Sequence, residues 1–393
     1  MSSKSINVVE SVISPISYDQ FFDEFFGQKP LVLTEENAAR LKLAGENPRQ
    51  QLLSDFKRYA PTLTSHSRSP KGPAPTPRAV EDADAFYALI NEYFSAGDTI
   101  RIPEVTELSD ALTRFTRSLE VQTQSEVGVV VFWSEPGAAA PIHYDDVDVI
   151  VVQLEGTKRW FISKDPPVYP NKWKFAGEAP PQMKDYHTVD VKPGDLIYIP
   201  RGTAHTVQST SESIHIAIGF VPVTIRDAIN AALDHYSDLN KPVRMGLGSR
   251  ADCLTANTDQ QRVMEQIREH LGGLSDACKA DDFIKAALSR RKTRMIRDLP
   301  KLPSGKVVGS LDLHTRVKHH PLAICEITVT EQIVDFCQPG EQILIHLGAR
   351  ESVEFIANTD EFRVKDIPGG LEDAVKLALA QRFLQSGFLV LAD

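Results

Sequence analysis

The chain has 393 residues, too many for one small core, which suggests two or three domains. Hydrophobic residues make up 42% and charged residues 24%, no apolar run is long enough to span a membrane, and Met1–Ser14 lacks a secretory pattern, so we expect a cytoplasmic protein. The net charge of −10 argues against direct nucleic-acid binding and is compatible with basic protein partners.

The first third of the chain has the pattern of several amphipathic helices. Ser17–Phe26 opens with a cap-like serine and carries aromatics at helical spacing, and Asp84–Ser95 and Glu107–Leu119 are also predicted helices. Between them, Ser65–Arg78 holds four prolines, which predicts a loop without regular structure. Such a loop is either a plain connector or a mobile flap at a substrate entrance.

From Gly128 to about Val223 the pattern changes to short β-branched and aromatic runs separated by Gly, Pro and Asp. The predicted strands are Gly128–Trp133, Val147–Leu154, Lys158–Ile162, His187–Val191, Leu196–Ile199, Thr206–Gln208 and Ser213–Val221. Short strands at regular intervals favour a β-sandwich or barrel over an alternating βαβ sheet.

After Val223 the helical pattern returns. The predicted helices here are Thr224–Leu239, Asp259–Leu271 and Ser275–Arg291. Beyond a linker-like Pro300–Pro303, the predicted elements are the strands Ala323–Val329, Gln342–Leu347 and Ser352–Ile356 and the helix Leu371–Gln385. The four cysteines contain no CxxC pair, so we expect free thiols instead of disulfides or a zinc site.

Two segments of the strand-rich region carry residue types that bind metals. The first contains His143 and Asp145, two positions apart, so that both side chains would share one face of a strand. The second runs from Pro193 to His205 and reads as a turn, a strand, a second turn and a histidine. Two imidazoles and one carboxylate can hold Fe(II) on one face and leave the opposite face open. The pattern therefore predicts an oxygenase.

These motifs resemble those of the cupin-type JmjC oxygenases, in particular the ribosomal oxygenase branch. The resemblance rests on the H-x-D at 143–145 and on P-G-D-x-x-Y-x-P-x-G-x-x-H at 193–205, and it extends from the FFGQKPLVL segment at 25–33 to Gly219-Phe220. It implies a double-stranded β-helix, with Fe(II) bound by His143, Asp145 and His205. It also implies 2-oxoglutarate as co-substrate, and hydroxylation of protein side chains with release of succinate and carbon dioxide.

The resemblance also assigns the co-substrate contacts. Gln153–Trp160 is similar to the QxxGxxxW strand pair of the family, in which a basic residue two positions before the tryptophan binds the distal carboxylate of 2-oxoglutarate. That residue is Lys158 here, whereas Arg159 would point to the opposite face. His215 lies on a strand with small residues on its own face and could touch 2-oxoglutarate or the substrate. The family more often has a small or amide residue there, so His215 is a departure.

We thus expect an α+β protein whose jelly-roll core follows N-terminal helices. The expected domains are a JmjC/cupin catalytic domain at 1–225 (core about 126–223), a helical region at 226–300 through which a homodimer would form, and a winged-helix-like domain at 301–393. The expected substrate is a protein or peptide, with ribosomal proteins among the candidates.

Three alternatives stay open. The same iron chemistry could act on a small molecule or a natural-product peptide, and demethylation depends only on which C–H bond is presented. A cupin metal isomerase would need further histidine or glutamate ligands. A non-catalytic JmjC-like binding protein would usually lack one of the three ligands.

Overall fold

The structure is a computed structural model that describes residues 3–68, 73, 75–170, 182–246, 257–303 and 311–392. It divides into two units, residues 1–222 and 223–393, and each is described by itself. The unit boundary lies close to the expected end of the catalytic domain at 225. A division of the second unit at residue 300 stays a prediction.

In the first unit, the N-terminal half supplies the helices. They are α1 (Ser3–Ile13), α2 (Tyr18–Gln20), a π-helical turn (Phe21–Phe25), α3 (Ala38–Leu41), α4 (Pro48–Ser54), α5 (Phe56–Tyr59), α6 (Ala83–Ser95) and α7 (Asp110–Thr123), with 3-10 turns at Ala60–Thr62 and Thr106–Leu108. The two long helices begin at capping side chains, since Asp82 accepts from the Ala85 backbone and Ser109 from that of Leu112.

Ten strands complete the first unit. They are β1 (Leu31–Leu33), β2 (Thr64–Arg68), β3 (Asp98–Ile102), β4 (Val127–Ser134), β5 (Asp148–Glu155), β6 (Lys158–Ser163), β7 (Tyr186–Val191), β8 (Leu196–Ile199), β9 (His205–Ser209) and β10 (Ser213–Phe220). Seven of them form one antiparallel sheet in the order β1-β8-β5-β10-β4-β3-β2, and the other three form a sheet in the order β7-β6-β9. All seven strands predicted between Gly128 and Val221 are present, with ends shifted by one residue at most.

The larger sheet is buried on both faces. On its outer face, residues such as Ile150 and Ile216 share one core with Phe86 and Phe115 of the helices. On its inner face, residues such as Val151 and Ile197 pack with Trp160 of the smaller sheet in a second core. Burial on both faces explains why β5 reads as a nearly continuous apolar run. Two antiparallel sheets enclosing an inner core confirm the α+β class and agree with the expected jelly-roll core.

One predicted loop is partly a strand. Within Ser65–Arg78, the residues up to Arg68 belong to β2, which pairs with β3 at the end of the larger sheet. Residues 75–80 have no regular structure, as expected, whereas 69–72 and 74 lie outside the described residues. The prolines that suggested a loop begin only after the strand has ended.

The second unit contains helices and two small sheets. Its helices are α8 (Ile225–Leu239), α9 (Asn257–Ala277), α10 (Asp281–Asp298), α11 (Arg350–Asn358) and α12 (Asp373–Gln385), with 3-10 turns at Lys241–Arg244, Leu347–Ala349 and Val364–Asp366. Its strands are β11 (Arg316–His319), β12 (Glu326–Val329), β13 (Ile333–Gln338), β14 (Glu341–His346), β15 (Glu361–Arg363) and β16 (Leu389–Leu391). They form two three-stranded sheets, β15-β11-β16 and β12-β13-β14. Whether this arrangement is a winged helix stays a prediction.

Two predictions in this unit were wrong. Ser352–Ile356 was expected to be a strand and lies in α11, where Val353 and Ile356, three positions apart, are both fully buried on one helix face. The expected helix Ser275–Arg291 begins too early, because α9 continues to Ala277 and α10 starts at Asp281.

Cys278, Cys325 and Cys337 are free thiols, as predicted, and Cys253 lies outside the described residues. Among the helices described, none has the length and apolar character needed to cross a membrane.

Candidate metal and co-substrate site

The three residues predicted to bind metal lie together at one end of the inner core. One donor atom from each of His143, Asp145 and His205 can be chosen so that all three atoms lie within 4.8 Å of one another. The two imidazole rings are 4.4 Å apart between centroids, and Nε2 of His205 is 3.7 Å from Oδ2 of Asp145. Such a cluster can hold one divalent metal ion and leave positions open on the other side.

Backbone carbonyls orient both imidazoles. Nδ1 of His143 lies 2.8 Å from the Pro141 carbonyl oxygen, and Nδ1 of His205 lies 2.9 Å from that of Thr203. A carbonyl can only accept, so each Nδ1 donates its proton to the carbonyl, and Nε2 is the ring nitrogen that remains for a metal. Burial and the nearby His143 lower the pKa of His205 to about 4, which keeps this ring neutral at pH 7. The His205 ring therefore has the protonation state that metal binding requires.

The strand expected to carry His143 and Asp145 does not exist. His143 forms an isolated antiparallel bridge with His205, with backbone hydrogen bonds of 3.0 and 2.8 Å, and Asp145 lies in the loop that leads into β5. The Asp145 carbonyl accepts a 2.8 Å hydrogen bond from the backbone nitrogen of Gly202. The two residues reach one site because each is tied to the chain around His205, not because side chains alternate along a strand.

Lys158 is a buried cation inside the barrel. Its side chain is on the inner face of β6 beside Trp160, and the residue is only 2% exposed. Nζ donates a 2.9 Å hydrogen bond to Oγ of Ser134, and no carboxylate in the described part of the chain forms an ion pair with it. Burial lowers the pKa of Lys158 to about 7. Arg159, in contrast, lies on the outer face and forms a 2.6 Å ion pair with the exposed Asp190.

Three serines lie on the strand positions near Lys158, and one of them, Ser134, contacts its Nζ. Ser134, Ser209 and Ser213 are all buried, and the register of the strands places Ser134 opposite Ser213 and Lys158 opposite Ser209. The Ser213 hydroxyl lies 3.3 Å from that of Ser209. A lysine among small hydroxyl side chains is suited to bind a carboxylate. The serines were not singled out in the sequence, because they became neighbours only through strand pairing.

His215 also lies on the inner face, between two aromatic rings. It stacks on Phe132 with centroids 5.1 Å apart and meets the Trp160 ring edge-on at 5.7 Å. Burial, followed by the nearby Lys158 and His66, lowers the pKa of His215 well below its usual value, so the ring is neutral. Its Nδ1 and the Trp160 Nε1 are buried and have no hydrogen-bond partner among the described residues. Unpaired polar atoms are costly in a core and are typical of a cavity that receives a polar ligand.

His66 is one residue that the sequence did not single out as part of the site. It lies in β2, is exposed, and packs against Phe132 at 4.6 Å between centroids. Its ring centroid is 6.5 Å from that of His143, so it lies beside the proposed metal site. Its sequence context, a segment rich in prolines, gave no indication of a strand leading to the site.

The residues present fit Fe(II) and 2-oxoglutarate. Two imidazoles and a carboxylate form one donor cluster, which is the donor set of a non-haem iron site. The buried ammonium of Lys158 lacks the counter-charge that the distal carboxylate of 2-oxoglutarate would supply, and His215 and Trp160 offer unused polar atoms.

Comparison with known proteins identifies the class. Residues 102–228, which include every site residue named above except His66, match the JmjC domain family. Ribosomal oxygenase 2 from Bos taurus is 27% identical over 394 residues, covering 93% of this chain and 83% of the relative. Ribosomal oxygenase 2 from Mus musculus is 34% identical over 225 residues, which is 53% of this chain and 46% of that protein.

A relative from Dictyostelium discoideum, the bifunctional lysine-specific demethylase and histidyl-hydroxylase NO66, is 27% identical over 59% of this chain and 46% of its own length. The crystal structure of Escherichia coli ribosomal oxygenase YcfD matches with a TM-score of 0.53 and 16% identity, covering 96% of this chain and 98% of that one. At this identity the structural likeness shows the fold alone.

Residues 102–228 therefore form a JmjC domain, and the protein is an oxygenase that depends on Fe(II) and 2-oxoglutarate. Over most of its length the chain is similar to the ribosomal oxygenases.

Proposed function

We propose that this protein hydroxylates a side chain of a protein substrate, using Fe(II) held by His143, Asp145 and His205 and 2-oxoglutarate anchored by Lys158. The strongest support is that the three metal donors and the buried lysine lie within one barrel. The donor cluster lies at one end of the inner core, and a buried lysine without a carboxylate partner in the described part of the chain lies inside the same barrel. His215 is the second proposed contact with 2-oxoglutarate.

The residues of the chain have separate tasks in this reaction. When bound, the iron and 2-oxoglutarate supply the oxidation, in which molecular oxygen gives one atom to the substrate C–H bond and one to succinate as carbon dioxide leaves. Lys158 and the surrounding serines neutralise and orient the distal carboxylate. Val151, Ile197 and Trp160 exclude water from the inner core, which strengthens that charge interaction.

The substrate class is proposed from the relatives. Those named above are called ribosomal oxygenases or, in one case, a histidyl-hydroxylase and demethylase, and their names support a protein substrate, with ribosomal proteins as first candidates. The net charge of −10 is compatible with a basic protein of this kind.

We also propose a homodimer formed by the helices of the second unit. Ile225, Ile229 and Leu233 recur every four residues along one face of α8 and are 83%, 56% and 41% exposed. Another part of the α8 surface is already occupied, because Ala231 and Ala232 pack with α9 and α10. An exposed apolar stripe of this length favours burial against a partner, and a second copy of α8 offers the same stripe in a self-complementary interface.

The reaction can be tested by succinate release. The purified protein is supplied with Fe(II), 2-oxoglutarate and peptides from basic ribosomal proteins, and mass spectrometry looks for a product heavier by one oxygen atom. We expect His143→Ala and Asp145→Ala to abolish succinate formation, and Lys158→Met to raise the KM for 2-oxoglutarate strongly. Asp190→Asn, which changes an exposed carboxylate on β7, is the control and should retain activity.

Each of the other outcomes has a definite meaning. Undiminished turnover by the His143 or Asp145 variant would refute the metal assignment. Formaldehyde release in place of an oxygenated product would indicate demethylation. Succinate formation with a small molecule but with no protein or peptide would transfer the same chemistry to the alternative substrate class.

A further inference from the structure

Asp148 is a fully buried carboxylate near the metal site that the reaction itself does not use. It is the first residue of β5, and its Oδ1 accepts a 3.0 Å hydrogen bond from the backbone nitrogen of Arg201. Its Oδ2 accepts a hydrogen bond from the hydroxyl of Tyr198, which is also fully buried. The Tyr198 oxygen in turn accepts a 2.7 Å hydrogen bond from the backbone nitrogen of Gly27. The carboxylate thus connects β5, β8 and the segment before β1.

The turn that Asp148 holds touches two of the three proposed metal ligands. Residues 200–203 form this turn, closed by a 3.1 Å hydrogen bond from the Thr203 nitrogen to the Pro200 carbonyl. Within it, the Gly202 nitrogen donates to the Asp145 carbonyl at 2.8 Å, and the Thr203 carbonyl oxygen lies 2.9 Å from His205 Nδ1. A shift of the turn would therefore move a carboxylate ligand and an imidazole ligand together.

We propose that Asp148 is a positioning residue that holds the 200–203 turn and thereby sets the affinity of the metal site. The inference rests on the proposed metal ligands. A buried carboxylate bound to a backbone N–H and a hydroxyl forms charge-assisted hydrogen bonds, which are stronger than those between neutral groups. Without the carboxylate, the Arg201 nitrogen and the Tyr198 hydroxyl lose their acceptors in the interior, so the turn is free to rearrange. Groups that orient metal ligands commonly change metal affinity when they are replaced.

Cobalt binding provides the test, because it needs neither turnover nor substrate. The dissociation constant for Co²⁺ is measured by calorimetry and the visible ligand-field spectrum is recorded for each variant. We expect Asp148→Ala to weaken Co²⁺ binding by about 10- to 100-fold and to change the spectrum. Asp148→Asn keeps one acceptor for the Arg201 nitrogen. Its affinity for Co²⁺ should therefore lie between those of the parent and Asp148→Ala, about 3-fold weaker than the parent. Asp190→Ala removes an exposed carboxylate and should bind Co²⁺ as the parent does.

Further variants separate this proposal from the site on which it rests. If His205→Ala binds Co²⁺ as tightly as the parent, the ligand assignment itself fails. If His205→Ala loses Co²⁺ while Asp148→Ala keeps the affinity and spectrum of the parent, only the positioning role is overturned. If Asp148→Ala does not fold, the Co²⁺ affinities of Asp148→Asn and Tyr198→Phe test the proposal instead. Affinities within about twofold of the parent in both variants would overturn it. Melting temperatures measured without metal separate loss of stability from loss of affinity.

Discussion

At the scale of single residues, Lys158 shows the conflict between stability and binding most clearly. A charged ammonium in a core loses its hydration, and here it gains only one hydrogen bond, to Ser134. Burial lowers its pKa from the ordinary value of 10.5 to about 7. Lys158 is therefore expected to destabilise the protein that has no ligand bound. Binding of a dicarboxylate should remove this destabilisation, because the ligand supplies the missing negative charge.

We predict that Lys158→Met raises the melting temperature of the protein without metal or co-substrate. The destabilisation by Lys158 is full below about pH 7, falls as the pH rises towards 10.5, and vanishes above that value, where the folded and unfolded states are both uncharged. Replacing buried ions by hydrophobic groups has stabilised other proteins by about 1–4 kcal/mol. The advantage of the variant should thus be larger at pH 6 than at pH 9.

Thermal denaturation at these two pH values measures this effect, and Arg159→Met on the outer face of the same strand is the matched control. The control should change the melting temperature little, because Arg159 forms an exposed ion pair. An unchanged or lower melting temperature for Lys158→Met at pH 6 would contradict the assignment of Lys158 as a strained, uncompensated charge.

At the scale of secondary-structure elements, the sequence predicted the strands well and their irregular connections poorly. Strands such as β5 and β10 carry long apolar runs, because their residues are buried by the helices on one side and by the inner core on the other. Lys158 and Trp160 were expected to share one face, and both are buried on the inner face of β6. Alternation within one strand is a local property, so local sequence is sufficient to predict it.

The placement of the proposed metal ligands depends on contacts between distant segments, and the sequence did not predict it. His143 is held by an isolated bridge to His205, and Asp145 by the backbone of Gly202. His66 comes close to His143 through pairing of β2 with β3. The H-x-D motif singled out two residues that the fold does bring close to His205. The reason expected from the sequence, side-chain alternation on a strand, does not apply in this fold.

The turn before His205 gives a prediction at this scale. Gly202 has a φ of +79°, and a Cβ there would lie 2.6 Å from the Tyr169 nitrogen and 2.9 Å from the Val168 nitrogen. Gly202→Ala should therefore lower both the melting temperature and the affinity for Co²⁺, because the turn carries contacts to both Asp145 and His205. The left-handed conformation alone costs a non-glycine residue about 1–2 kcal/mol.

Gly137→Ala separates the cost of the left-handed backbone from the cost of the steric clash expected at Gly202. Gly137 has a similar φ of +82°, but no atom lies within 4 Å of the position of an added Cβ. Its alanine variant should show only the cost of the backbone conformation and bind Co²⁺ normally. Equal losses of stability and affinity in the two variants would mean that the close approach at Gly202 has no role in shaping the site.

At the scale of the whole molecule, the sequence predicted a catalytic unit followed by a mainly helical region. The first unit carries both the motifs and the regular strands, and its end at residue 222 coincides with the return of helical periodicity near Val223. The last 80 residues were harder to predict, since their strands are short. Ser352–Ile356, rich in residues that favour strands, is helical because Val353 and Ile356 face the core of the second unit.

The exposed stripe on α8 leads to a prediction about assembly. If a second copy buries Ile225, Ile229 and Leu233, a glutamate in the middle of the stripe would place an unpaired charge in a dry interface. We expect Ile229→Glu to elute with the mass of one chain when the parent elutes with the mass of two, as measured by light scattering after size-exclusion chromatography. Leu344→Glu is the control, because Leu344 is 62% exposed on β14 and is not part of the stripe, so the variant should leave the dimer intact. A parent with the mass of one chain at all concentrations would refute the homodimer, and a dimer that survives Ile229→Glu would place its interface elsewhere.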